Sequence, residues 1–141
     1  MYMAEDRGAA GQAKLVLVVE DEADVRRSTI DLMDAMGYRT LEAENAGEAL
    51  GMLARHHDID LLLTDVRMPG DMDGAELAFT VRSRWPSIGI VVVSGYFDPK
   101  VSRLPAGIRF LSKPYRMAEL QAVIDQQMDV GSATAELRRR A

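Results

Sequence analysis

Cysteine is missing from all 141 residues of the chain. That absence excludes a disulfide framework, a thiolate nucleophile and a thiolate metal site, and it fits a reducing compartment. Long apolar runs are missing too. Leu15 to Val19 and Ile88 to Val93 are the longest, far below the roughly 20 residues needed to span a bilayer. Excess positive charge is also absent: the net charge is −5, which argues against a protein that binds nucleic acid through a basic face. Residues 1–12 carry no apolar stretch behind a basic start, as a secretory signal would. These gaps point to a soluble, cytoplasmic protein that uses neither membrane nor nucleic acid. What remains is 48% apolar content, enough for one compact core in a chain of this size.

Short apolar runs alternate with stretches of helical periodicity, the pattern of βα units around a parallel sheet. Strands are expected at Lys14 to Val19, Arg39 to Ala43, Asp60 to Thr64, Ile88 to Val93 and Ile108 to Leu111. Between them, Val25, Leu32, Met33 and Met36 mark a first helix that Gly37 stops. Ala46, Ala49, Leu50 and Leu53 mark a second, and Leu77, Ala78 and Val81 a third that ends near Trp85-Pro86. Asp98-Pro99 reads as an N-cap followed by proline at the first helical position, opening a short fourth helix closed by Pro105 and Gly107. Met117, Leu120, Val123 and Ile124 mark the fifth. The expectation is a flavodoxin-like (βα)5 α/β fold, a doubly wound parallel sheet of order 2-1-3-4-5, over residues 13–130. Residues 1–12 form a loose arm. Residues 131–141 form a polar and basic tail, read as a frayed helix end, a linker remnant or a contact tail.

Charged residues stand at the carboxyl ends of these strands, where ligands of open α/β sheets bind. Glu20 and Asp21 follow the first strand, Asp65 the third, and Lys113 the fifth; Ser94 ends the fourth. Three carboxylates at one rim repel one another, and a divalent cation removes that penalty. Mg²⁺ suits the site because it prefers hard oxygens and binds through one or two carboxylates together with a phosphate oxygen. A carboxylate beside it can attack phosphorus and form an aspartyl phosphate. Since the transferring group is metaphosphate-like, aligning the nucleophile and neutralising the equatorial oxygens suffices. Lys113 supplies positive charge there and Ser94 a hydroxyl donor.

The segments VVEDE, LLLTDVRMPG, VVVSGY and FLSKPY together resemble the receiver domain of two-component response regulators over about residues 13 to 130. The resemblance implies that Asp65 is the phosphoacceptor and Asp21 a direct Mg²⁺ ligand, with Mn²⁺ as a substitute metal. It implies that Glu20 acts largely through water and that the backbone carbonyl of Arg67 completes the metal site. Ser94 would be the switch hydroxyl, Lys113 the phosphate-pairing lysine, and Lys113-Pro114 a cis peptide. Phe110 sits at the aromatic switch position, where it lacks the hydroxyl of the commoner tyrosine. The output surface would comprise the fourth helix, fifth strand and fifth helix. The implied partners are a histidine kinase or histidine phosphotransfer protein and a downstream protein target, with the chain a monomer or a weak phosphorylation-dependent dimer. It would be a phosphoacceptor switch rather than an enzyme acting on a separate substrate.

The loop after Asp65, MPGDMDG, is one residue longer than the commonest form and leans toward receivers of hybrid kinases or their stand-alone relatives. Arg67 and Tyr96 are bulky for their positions and are expected to flank the phosphoryl site, restricting water, while Gly95 leaves one wall open. Other readings stay open: a receiver fragment of a larger response regulator or hybrid histidine kinase, a degenerate receiver that only binds, and an aspartate phosphatase of the haloacid dehalogenase type. The last would need a second acid two residues after the nucleophile, where this chain has Arg67. Taken singly, Glu20-Asp21 could be a helix N-terminus favouring negative charge. His56-His57 are expected to be solvated and Trp85 to pack away from the site.

Overall fold

The computed structural model describes residues 13–95 and 104–140, of which 129–140 are described as helical backbone alone. In chain order the elements are β1 (Leu15–Val19), α1 (Ala23–Ala35), β2 (Arg39–Ala43), α2 (Ala46–Arg55), β3 (Leu61–Asp65), α3 (Gly74–Arg84), β4 (Gly89–Ser94), β5 (Arg109–Ser112) and α4 (Met117–Arg140). The five strands make one parallel sheet in the order β2-β1-β3-β4-β5. This is the expected flavodoxin-like order, with strand limits displaced by a residue at most.

The apolar runs form strands because both of their faces are covered. All of β1 and β4 is buried, as happens when helices lie on both sides of a parallel sheet. Leu15, Leu17 and Val19 point to one core with the buried faces of α2 and α3, and Val16 and Val18 to the other with Ile30, Met33, Leu120 and Ile124. The period-2 alternation of a strand thus feeds two cores from one run. Gly37, at φ 92°, ends the first helical unit in a conformation that other residues rarely adopt.

Two regions expected from the sequence stand apart from the rest. The fourth helix expected from Asp98-Pro99 lies outside the described residues, as does Tyr96. At the other end, α4 continues through residues 131–140, where a tail is expected. Gly131 is the one poor helix former at the junction, and Ala133, Ala135, Glu136, Leu137 and Arg138 to Arg140 favour helix strongly.

A polar residue anchors α4 to the sheet. Gln127 is 1% exposed; its Oε1 accepts from the Ile90 backbone N–H at 2.7 Å and its Nε2 donates to the Gly107 carbonyl at 2.6 Å. Gly89 makes room for it, since a Cβ there would stand 2.8 Å from the Gln127 carbonyl oxygen.

Candidate functional site

The strand register dictates which side chains meet. Val19 pairs with Thr64, Asp65 with Val93 and Ser94 with Ser112, so Glu20, Asp65, Ser94 and Lys113 lie along one rim. Backbone hydrogen bonds carry the ladder past the strand ends: Glu20 N to Ala43 O at 3.1 Å, Val66 N to Val93 O at 2.9 Å and Lys113 N to Ser94 O at 2.9 Å. The rim is therefore fixed as firmly as the sheet itself.

Lys113 crosses the rim to the acids. Its Nζ lies 2.9 Å from Asp65 Oδ2 and 3.5 Å from Glu20 Oε1. The Lys113-Pro114 bond is cis. Burial works against the ammonium charge, but the hydrogen bond and charge of Asp65, with Glu20 beside it, outweigh burial and hold the group above its ordinary value. Asp65 Oδ1 accepts from the Arg67 backbone N–H at 3.2 Å, which leaves the carboxylate held from both sides.

Glu20 is the buried member of the set, 5% exposed. Burial raises its carboxyl to about 7, reinforced by hydrogen bonding to Asp65 and Asp21 and opposed by the Glu22 N–H that donates to Oε2 at 3.1 Å. Carboxylates crowded in this way share protons unless a cation separates their charges.

Asp21, Asp65, Ser94, Lys113 and the Arg67 loop border a cleft of about 710 Å³, while Glu20 lies behind it. Among the described residues no three His, Asp or Glu side chains converge closely enough to hold a cation on their own. The donors nevertheless fit Mg²⁺. They are all hard oxygens, two carboxylates face the open cleft, and this metal completes its shell with water and phosphate.

Ser94 is buried at the cleft wall. Gly95 is exposed beside it, and a Cβ there would meet nothing within 4 Å. Arg67 stands exposed at the rim. Phe110 is half-buried in β5 opposite Val92 and packs against the core shared with α2 and α3. His57 is exposed and His56 half-buried. Trp85 packs on the same core with Arg84 stacked 4.6 Å from its ring centre.

Sequence reasoning missed several residues that shape the site. Gly74 opens α3 directly against the acceptor strand: its N–H donates to Val66 O at 2.7 Å, and a Cβ on it would overlap the Asp65 carbonyl oxygen. The preceding Asp73 caps the helix in a reciprocal capping box with Glu76. The Asp-Gly before a helical stretch was the available signal. Tyr115, which closes the FLSKPY segment without a role assigned to it there, lies behind Lys113 near Thr29.

The family model for the response regulator receiver domain matches residues 16–125. The sensor kinase CckA of Brucella abortus is 34% identical over 81% of this chain, which spans 12% of that protein. The response regulator receiver protein CpdR of the same organism is 31% identical, with 82% of this chain and 97% of CpdR covered. This chain spans 27% of the response regulator protein PilR of Pseudomonas aeruginosa. Among solved structures, a CheY-like response regulator receiver domain protein from Methanospirillum hungatei superposes with a TM-score of 0.78 at 28% identity, over 87% of this chain and 99% of that one.

Proposed function

The chain belongs to the response regulator receiver domain family, and on that premise we propose that it accepts a phosphoryl group on Asp65 from a histidine kinase or histidine phosphotransfer protein. The observation that carries this reading is the contact of Lys113 Nζ with Asp65 Oδ2 at 2.9 Å, inside a cleft that Ser94 and Asp21 also border. A positive charge and a hydroxyl stand beside one carboxylate, and the cleft gives a phosphodonor access to it.

In the reaction an Asp65 oxygen attacks the donor phosphorus as the phosphorus–nitrogen bond of a phosphohistidine breaks. The bonding pair leaves with the imidazole nitrogen, which takes a proton. Lys113 neutralises charge on the phosphoryl oxygens, moving only from the carboxylate to the group attached to it. The Ser94 hydroxyl donates to another of those oxygens. When bound, Mg²⁺ would be held by Asp21, Asp65, the backbone carbonyl of Arg67 and, through water, Glu20, and would supply further charge neutralisation. Arg67, exposed at the rim, limits water's approach to the product.

Movement of Ser94 toward the phosphoryl group is the local event, and Phe110 follows it by repacking. The surface of β5 and the last helix then favours a second arrangement, and phosphorylation biases the balance between the two. Output passes through protein contacts, with the chain a cytoplasmic monomer or a weak phosphorylation-dependent dimer. Its coverage of CpdR speaks for a stand-alone receiver. Its coverage of CckA speaks for a receiver portion of a larger sensor kinase.

Intact mass after incubation with acetyl phosphate tests the proposal. One labile phosphoryl group is expected with Mg²⁺, and none with chelator or in Asp65→Ala. An adduct that survives in Asp65→Ala, or no adduct with several small donors, would overturn it.

A further inference from the structure

One charged side chain near the rim takes no part in the chemistry above. Arg26, in the first turn of α1, is 15% exposed. Its Nη1 donates to the Glu20 backbone carbonyl at 2.8 Å, and its Nε donates to Glu42 Oε1 on the edge strand β2, also at 2.8 Å. An arginine held at two points of its planar fork has little freedom left.

The carbonyl it grips belongs to the peptide that joins Glu20 to Asp21. Glu20 is otherwise fixed at its N–H by Ala43 O, at Oε2 by the Glu22 N–H and at Oε1 by Lys113. Arg26 restrains the plane of that peptide, whose turning about the Glu20 Cα–C bond would swing Asp21 around the cleft. We infer that Arg26 is a positioning residue for the cation site, orienting Asp21 through the Glu20 carbonyl with Glu42 as its own anchor. The inference rests on the reading of Asp21 as a Mg²⁺ ligand. It adds that the edge strand β2 takes part in metal affinity through a side chain that touches neither metal nor phosphoryl group.

The contact acts on orientation, so it should show in Mg²⁺ affinity more than in the rate of phosphoryl transfer once metal is saturating. Arg26→Met removes both hydrogen bonds at similar length. Arg26→Lys keeps the charge and one reach, and Glu42→Gln keeps an oxygen for Nε. Mg²⁺ binding to each full chain is measured by calorimetry, together with the metal dependence of phosphorylation by acetyl phosphate. Arg26→Met should bind Mg²⁺ about tenfold more weakly, the scale of a lost outer-shell partner, with its rate at saturating Mg²⁺ within about twofold of the unaltered chain. Glu42→Gln should stay close to the unaltered chain. If Arg26→Met does not fold, Arg26→Lys should show the same weakening in reduced form. Unchanged Mg²⁺ affinity in the folded Arg26 variants would overturn the inference while leaving the proposed function standing. Failure of the unaltered chain to bind Mg²⁺ would overturn both.

Discussion

A carboxyl buried beside two others links stability to pH in the direction opposite to a salt-bridged one. Glu20 titrates near 4.5 in an unfolded chain and near 7 in the fold. Below pH 4.5 it is protonated in both states and contributes no difference. Between 4.5 and 7 the unfolded chain releases the proton while the fold retains it, so the unfolded state gains and stability falls as pH rises. A gap of this size amounts to roughly 3 kcal/mol, fully expressed above pH 7. In chelator, urea midpoints of the metal-free protein should fall across that window, and Glu20→Gln should flatten the slope. Parallel slopes for the two proteins would contradict this account of Glu20. At the same scale, Gln127→Ala should cost about 1–3 kcal/mol in urea unfolding, because it strands the buried Ile90 N–H. A loss under about 1 kcal/mol would mean that water replaces the amide. Neither effect was legible in the sequence. Glu20 announced itself as an acid at a strand end, but its burial depends on the register of β1 with β3. Gln127 carries no periodic signal that separates it from a surface glutamine.

At the scale of elements, the strands and most helices were legible because each repeats its apolar positions at its own period. Leu77, Ala78 and Val81 mark α3, and all three are buried. What periodicity could not convey is how closely an element approaches its neighbour. Gly74 reads as a turn glycine, yet it allows the first turn of α3 to rest on the carbonyl of Asp65. Gly74→Ala should therefore destabilise the fold by about 2 kcal/mol or more, beyond the gain in helix propensity, because the obstacle is backbone and cannot rotate away. It should also slow phosphorylation by displacing Asp65. A neutral or stabilising substitution, measured by thermal unfolding and acetyl phosphate kinetics, would show that the helix end yields without cost. The sequence left the length of α4 open for a different reason, a frayed helix end being one of three readings of its last residues. Gly131 and the polar residues around it suggested an end, whereas the Ala, Glu and Arg that follow support continued helix.

For the whole molecule, the acidic rim, the Ser94 hydroxyl and the lysine come from four strand ends up to 93 residues apart in number, Glu20 to Lys113. Their convergence follows from a parallel sheet of alternating strands and helices, which brings the carboxyl ends of its strands to one rim. That is why the candidate site was readable from scattered residues, while Arg26 and Tyr115, which support it from behind, were not. The central claim is that Asp65, and no other acid of the rim, carries the phosphoryl group. Borohydride reduces an acyl phosphate to the alcohol and so marks the modified carboxyl permanently. Peptide mapping of the chain treated with acetyl phosphate and Mg²⁺ and then reduced should find homoserine at position 65 alone. Reduction at Asp21 or Glu20, or an intact Asp65 in a chain that has gained phosphate, would contradict the account.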